Sequence, residues 1–175
     1  MKFTALPVAG VHLIQQERRE DERGFFARLW CERELRERGL DARVAQINTQ
    51  VSRLAGTLRG MHFQTGAHAE VKIARCLRGA AFDVAIDLRP GSPTFRRWVG
   101  ATLSGENGDM LYLPEGCAHG YLTLLPDTEM MYFASVPYAP AAATGVRFDD
   151  PAFAIDWPRE VSVVSAADRA WPDFS

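Results

Sequence analysis

A succession of short strand-like segments between residues 44 and 135 places the strongest constraint on the fold. Each segment carries β-branched, aromatic or alternating apolar residues, and Gly, Pro, Asn or Asp separates most of them. Strands at this spacing are typical of a β-sandwich or barrel, not of βαβ units. The predicted strands lie near residues 44–51, 56–64, 70–76, 80–88, 97–103, 109–113, 119–124 and 129–135.

The segments that flank these strands predict only short helices. Residues 29–38 indicate a helix with Leu29, Trp30 and Leu35 on one side and Gly39 as its end. A last helical turn is expected near residues 165–170 in an otherwise irregular tail. The charged run at 15–23 is interpreted as a solvated turn.

Composition excludes several classes of protein. The 175 residues suit one domain spanning 1–175, and an apolar content of 47% is too high for a mainly disordered chain. No apolar stretch approaches the roughly 18 residues of a membrane span, and no signal peptide is expected. A net charge of -2 argues against a dedicated nucleic-acid binder. Cys31, Cys76 and Cys117 form no paired motif, which predicts buried thiols in a cytoplasmic protein.

The segment 108–119 has the G-x5-P-x-G-x2-H spacing of the second cupin motif. This spacing corresponds to a strand, a tight turn, and a second strand that begins with an inward histidine. It places His119 at the mouth of a small barrel, where jelly rolls hold their ligands. The predicted fold is therefore an all-β cupin jelly roll with short peripheral helices.

Two chemistries remain open for such a barrel. A metal-dependent cupin needs two inward histidines one residue apart, but the residue two after His62 is Gln64. A metal site is still conceivable from His62, His68, Glu70 and His119.

The other chemistry needs no metal. His62, Lys72, His119 and Tyr132 are candidate acid–base groups for removing a proton next to a carbonyl and replacing it. Lys72 is singled out because only two of the 20 basic residues are lysines, and it lies in an apolar strand-like run.

The sequence resembles the dTDP-4-dehydrorhamnose 3,5-epimerase family from about Val8 to Asp168. The motifs that carry the resemblance are 21–26 (DERGFF), 58–64 (LRGMHFQ), 82–89 (FDVAIDLR), 91–95 (GSPTF), 114–120 (PEGCAHG) and 149–151 (DDP). The resemblance implies a metal-independent cupin without a cofactor. It further implies a homodimer that acts on a nucleotide-linked 4-keto-6-deoxy sugar.

The resemblance also implies roles for individual residues. His62 is the expected catalytic base, Asp168 orients it, Tyr132 is the acid, and Lys72 stabilises the enolate. Arg23 and Arg59 match the positions that bind the diphosphate, a task that suits guanidinium groups. The remaining expected substrate-binding residues are Phe25, Gln46, Asn48, His119 and Tyr138.

The chain departs from the family pattern on the nucleotide side. The departures are Arg28, Ile47, Pro137, Ala143 and Ala167. They leave the nucleobase open, so CDP- and GDP-linked sugars are alternatives to dTDP-linked ones. Inversion at C3, at C5 or at both is likewise open. A non-catalytic sugar-nucleotide-binding cupin and a metal-dependent cupin are the alternatives from other classes.

Strict alternation along one strand poses a geometric condition. It places Arg59 and His62 on opposite faces of the segment 56–64. Both reach one side only if the strand is irregular between them or if Arg59 serves a site across the dimer. Gly60 makes a β-bulge the expected irregularity.

Overall fold

The computed structural model describes residues 1–174, which form thirteen strands and two short helices. The helices are α1 (Glu32–Arg36) and α2 (Ala166–Arg169). The strands are β1 (Lys2–Ala5), β2 (His12–Gln15), β3 (Arg19–Asp21), β4 (Gly24–Phe26), β5 (Gln46–Ser52), β6 (Leu58–Gln64), β7 (Lys72–Arg78), β8 (Ala80–Asp87), β9 (Trp98–Ser104), β10 (Met110–Leu113), β11 (Cys117–Thr123), β12 (Thr128–Ala134) and β13 (Ala143–Gly145).

Two antiparallel sheets pack face to face. The six-stranded sheet has the order β1-β2-β10-β7-β12-β5, and the five-stranded sheet has the order β13-β6-β11-β8-β9. The hairpin β3-β4 stands apart from both sheets. This architecture confirms the predicted all-β cupin jelly roll with short peripheral helices.

Apolar side chains are buried in three clusters, one between the sheets and one on the outer side of each sheet. Leu103, Leu111 and Met130 belong to the cluster between the sheets, where apolar residues alternate with outward ones along each strand. The C-terminal segment covers the outer face of the five-stranded sheet with Phe148 and Phe153 among others. The N-terminal segment and α1 cover part of the other sheet.

Every predicted strand is present, but the flanking segments differ from the prediction. β1, β2 and β13 were not predicted because each has only three or four residues, too few for a clear alternating pattern. The charged run at 15–23 is exposed as expected, yet residues 19–21 pair with 24–26 as a hairpin instead of forming only a turn.

The helices are as short as predicted or shorter. α1 has five residues inside the predicted span 29–38, and only Leu35 of its expected apolar side is buried. α2 occupies the predicted last turn at 165–170. No helix within residues 1–174 is long and apolar enough to cross a membrane.

A β-bulge in β6 explains how Arg59 and His62 face the same side of the sheet, which strict alternation would not allow. His62 pairs with His119, and Arg59 pairs with Tyr121. Between these two pairs β6 therefore contains one residue more than β11. The extra residue brings Arg59 and His62 to the same inner face. Gly60 permits the close approach, since a Cβ there would lie 2.5 Å from the Cα of Gly120.

Candidate active site

A cavity of about 540 Å³ opens between the two sheets at the end where β6, β7 and β12 meet the loop 135–142. Its volume falls within the usual range of small-molecule sites. The cavity is lined by His62, Lys72, Tyr132 and Asp168, the four residues predicted to be catalytic. Strands position three of them, and α2 supplies the fourth.

His62 and Asp168 form a hydrogen-bonded pair on one wall of the cavity. The His62 Nε2 atom lies 2.6 Å from Asp168 Oδ1, while Asp168 Oδ2 accepts from the Gly60 amide at 3.4 Å. The Ser165 hydroxyl accepts from the Asp168 amide at 3.0 Å and caps α2. With Asp168 ionised, Nε2 carries the proton and Nδ1 becomes the acceptor, which is the tautomer that a general base needs.

Lys72 and Glu70 form an ion pair inside the same cavity. The Lys72 Nζ and Glu70 Oε1 atoms are 2.9 Å apart, and both side chains are about one-tenth exposed. Lys72 begins β7 on the six-stranded sheet. A buried ammonium here provides positive charge where a ligand oxygen would become an oxyanion. Glu70 was not among the predicted catalytic residues.

Tyr132 lies on β12, the strand beside β7. Burial raises the pKa of its phenol, and the negative charge of Glu70 and the nearby Tyr138 act in the same direction. The phenol therefore stays protonated at neutral pH. A protonated phenol in a cavity is suited to giving up a proton, which is the role predicted for Tyr132.

His62 and Tyr132, the predicted base and acid, approach the cavity from opposite sides. His62 belongs to the five-stranded sheet, whereas Lys72 and Tyr132 belong to the six-stranded sheet that faces it. A ligand held between the sheets would have an imidazole on one face and a phenol on the other. This arrangement can remove a proton from one face of a carbon atom and return one to the opposite face.

Three of the predicted substrate-binding residues also line the cavity. Gln46 and Asn48 project from β5, and Tyr138 lies at the rim with 64% of its surface exposed. Two departures from the family pattern, Ala143 and Ala167, form small uncharged parts of the wall.

Arg59 and His119 are engaged elsewhere. Arg59 donates to the Ser52 hydroxyl at 3.1 Å and to the Val51 carbonyl at 3.3 Å, further along the inner face. His119 is only 8% exposed, and its Nε2 lies 2.9 and 3.0 Å from the two oxygens of the buried Asp83. The cavity lining includes neither residue.

Arg23 and Phe25 lie on the exposed hairpin β3-β4, outside the cavity. The Arg23 guanidinium pairs with Asp21 on the same hairpin. Phe25 is 53% exposed, and the guanidinium of Arg18 lies 4.4 Å from its ring centre. Within this chain these two residues are therefore not part of the cavity lining.

The alternative metal set does not converge on one point. His62 binds Asp168, Glu70 binds Lys72, and His119 binds Asp83, so each group has a separate partner. His68 lies in an exposed turn. Among residues 1–174, no group of three or more His, Cys, Asp or Glu side chains is arranged to hold a metal ion.

Gln64 and Trp171 also line the cavity, and neither is among the predicted site residues. Gln64 is 3% exposed and lies two residues after His62, a spacing that had already placed it inward. Trp171 packs its indole against Gly145, where a Cβ would meet the ring nitrogen at 2.6 Å. No local signal distinguishes Trp171, because only the docking of the tail brings it to the cavity.

Comparison with known proteins places this chain among nucleotide-sugar epimerases. Residues 5–175 match the family profile described as dTDP-4-dehydrorhamnose 3,5-epimerase. A protein of that name from Sinorhizobium fredii is 43% identical over 175 residues, which cover 99% of this chain and 90% of that protein. A dTDP-4-dehydrorhamnose 3-epimerase from Streptomyces niveus is 38% identical over 170 residues, covering 97% of this chain and 82% of that protein.

A solved structure shares the fold over its whole length. The crystal structure of dTDP-4-dehydrorhamnose 3,5-epimerase from Bacillus anthracis, with TDP and pyrophosphate bound, superposes with a TM-score of 0.95. Its sequence is 36% identical, and the match covers 99% of each chain. With a profile match over nearly the full length and relatives near 40% identity, this chain belongs to the dTDP-4-dehydrorhamnose 3,5-epimerase family, a family of isomerases.

Proposed function

We propose that this protein epimerises a dTDP-linked 4-keto-6-deoxyhexose at C3, C5 or both. The proposal is carried by one observation: the His62–Asp168 pair and Tyr132 lie on opposite walls of one cavity. The names of the relatives support a thymidine nucleotide and a 4-keto sugar as substrate.

The proposed reaction begins with removal of a proton. The 4-keto group acidifies the adjacent C–H bonds, and Nδ1 of His62 takes one proton. The C–H bonding electrons form the enolate, whose oxygen is stabilised by the Lys72 ammonium. The Asp168 carboxylate stabilises the imidazolium that results.

The second step returns a proton to the opposite face. Tyr132 donates its phenolic proton to the carbon, the enolate electrons form the new C–H bond, and the carbonyl is restored. Exchange with solvent then reprotonates the tyrosinate and removes the proton from His62. Inversion at a second carbon repeats the cycle after the sugar presents its other acidic C–H bond to the same pair.

The test is proton NMR in D₂O with dTDP-4-keto-6-deoxyglucose, run in parallel with its CDP and GDP counterparts. We expect solvent deuterium to replace the C3 or C5 proton only with the dTDP sugar. His62→Asn is expected to abolish exchange, whereas Tyr132→Phe should retain exchange and lose inversion. Full inversion by Tyr132→Phe would overturn the assignment of Tyr132 as the acid. Exchange with the CDP or GDP sugar would overturn the assignment of thymine as the nucleobase.

Inversion at C3 alone is the narrower candidate beside inversion at both carbons. The 3-epimerase from Streptomyces niveus is 38% identical to this chain and the 3,5-epimerase from Sinorhizobium fredii is 43% identical, so both candidates have relatives at similar identity. The same NMR experiment separates the two, because a 3-epimerase exchanges only the C3 proton. Exchange at both carbons with inversion at both would exclude this candidate.

We also propose that the protein is a homodimer. β5 is an edge strand of the six-stranded sheet, and its outward residues Ile47 and Val51 are 57% and 42% exposed. An unpaired edge strand with outward apolar side chains is suited to packing against a second copy. In the dimer, the exposed Arg23 and Phe25, which lie outside the cavity of their own chain, are proposed to serve the cavity of the partner.

Light scattering after size-exclusion chromatography tests the dimer. We expect twice the chain's mass for the wild type and a shift to monomer for Ile47→Lys combined with Val51→Lys. Phe95→Lys is the matched control, because Phe95 is 37% exposed in the loop between β8 and β9 of the other sheet. A monomeric wild type at micromolar concentration would overturn the proposal.

A further inference from the structure

Gln64 is the most highly connected polar side chain of the cavity wall, yet the reaction proposed above leaves it without a role. It ends β6, two residues after His62. Its Nε2 donates to the His68 carbonyl at 3.1 Å and to the Pro137 carbonyl at 3.4 Å. Its Oε1 accepts from the Ala139 amide at 2.6 Å. One buried amide thus joins the catalytic strand to two separate loops.

The loop that Gln64 holds is the one that carries Tyr138. This Tyr138 loop, residues 135–142, leaves β12 on one sheet and leads into β13 on the other. The amide of Tyr138 donates to Gln46 Oε1 on β5, and the next amide, Ala139, donates to Gln64. Two consecutive amides are therefore fixed by two glutamines, one from each sheet.

The hydrogen bonds of Gln64 leave its amide little capacity for a ligand. Both N–H groups donate to backbone carbonyls, and the oxygen accepts a short bond from Ala139. The side chain is 3% exposed, whereas the Tyr138 ring that the loop presents is 64% exposed at the cavity rim. Any influence of Gln64 on a ligand must therefore pass through the loop.

We propose that Gln64 is a positioning residue that fixes the Tyr138 loop over the cavity and thereby sets the affinity for the nucleotide sugar. This inference rests on the proposed function for its substrate. A loop that is correctly placed for only a fraction of the time weakens the apparent affinity by that fraction. The chemical step should change little, because strands and α2, not the loop, hold His62, Asp168 and Tyr132.

The first test compares Gln64→Met with the wild type. Methionine has a similar length but cannot hold the two carbonyls or the Ala139 amide. We expect KM to rise about tenfold, equivalent to about 1.4 kcal/mol, with kcat within about twofold. Gln50→Met is the matched control: Gln50 lies on β5, accepts from the Tyr121 hydroxyl at 2.9 Å, and should leave both constants unchanged.

A double variant shows whether Gln64 acts through Tyr138. If it does, Gln64→Met combined with Tyr138→Ala should have the KM of Tyr138→Ala alone, because the positioned ring is already missing. Additive effects, or a loss of kcat at unchanged KM, would overturn the proposal. If Gln64→Met fails to fold, Gln64→Glu replaces it, since that variant keeps the acceptor for Ala139 and loses both donors.

Amide hydrogen exchange by NMR tests the positioning without any substrate. In Gln64→Met we expect the Ala139 amide to exchange at least about tenfold faster, with β6 and β12 unchanged. An unchanged Ala139 rate would refute the proposal even in an active enzyme. An increased rate in a protein that turns over none of the three nucleotide sugars would instead refute the proposed function and leave the positioning role standing.

Discussion

Replacing Asp168 by Asn removes the negative charge beside His62 while nearly preserving the size of the side chain. The carboxylate lies 2.6 Å from His62 Nε2 and is 9% exposed, so the hydrogen bond is short and largely shielded from water. A hydrogen bond to a charged group contributes about 1.5–3 kcal/mol. The imidazolium formed during proton removal loses this stabilisation in the variant.

The expected loss of rate follows from these values. At about 1.36 kcal/mol per factor of ten, the range corresponds to a decrease of about 10- to 150-fold in kcat. His62 is 46% exposed, so water partly screens the interaction and the value should fall toward the middle of the range. We expect a decrease of about 30-fold for Asp168→Asn.

The assay is the rate of deuterium incorporation at the sugar carbon under saturating substrate, followed by NMR in D₂O. Asp173→Asn is the control, because Asp173 lies five residues further along and forms only an exposed ion pair with Arg147. A decrease of less than twofold in Asp168→Asn would refute the reasoning, because the carboxylate would then contribute almost nothing to stabilising the imidazolium.

Three further predictions concern stability and reactivity. Gly60→Ala should lower the free energy of unfolding in urea by about 3 kcal/mol, because φ is positive there and the new Cβ would collide with the backbone of β11. Gly66→Ala is the control and should lose only about 1 kcal/mol, because no atom lies near the new Cβ there. Burial opposes ionisation of Asp87, but hydrogen bonds from neighbouring side chains outweigh it and hold its pKa well below the usual value. Asp87 therefore stabilises the fold at neutral pH and loses that contribution as pH falls below about 4. In urea unfolding between pH 3 and 7, the free energy of unfolding should fall less on acidification in Asp87→Asn than in the wild type. An equal fall in both proteins would contradict this. Burial raises the pKa of Cys117 to about 12, so iodoacetamide at pH 8 should label the half-buried Cys31 first, as read by peptide mass spectrometry; faster labelling of Cys117 would contradict its burial.

Local pattern in the sequence was sufficient to predict the strands of the barrel, while the family resemblance supplied His62, Lys72, Tyr132 and Asp168, which line its cavity. Alternation and turn residues encode a strand within a few positions, which is why all eight segments from 44 to 135 were found. The inward placement of His62 and Lys72 depends on that alternation, and Gly60 signalled the bulge. These features are local because each depends on the chemistry of a few neighbouring residues.

Tertiary structure decided which of the predicted binding residues share the cavity. Gln46 and Tyr138 share the cavity because the loop between the two sheets brings the Tyr138 amide to Gln46. His119 instead forms a hydrogen bond with Asp83, which lies 36 residues earlier in the chain. The docking of Trp171 on Gly145 had no signal in local pattern, whereas Glu70 and Lys72 lie two residues apart, a spacing that places two side chains on one face of a strand.

The physical reason is the range of the interactions. Hydrophobic periodicity reports which face of a strand is buried, but not which distant group a polar side chain will meet there. A buried polar group must find a hydrogen-bond partner, and folding can supply that partner from any part of the chain. The amino-acid sequence thus determines the strands and the chemistry available on them, while the packing of the two sheets and the tail determines which of those groups act together.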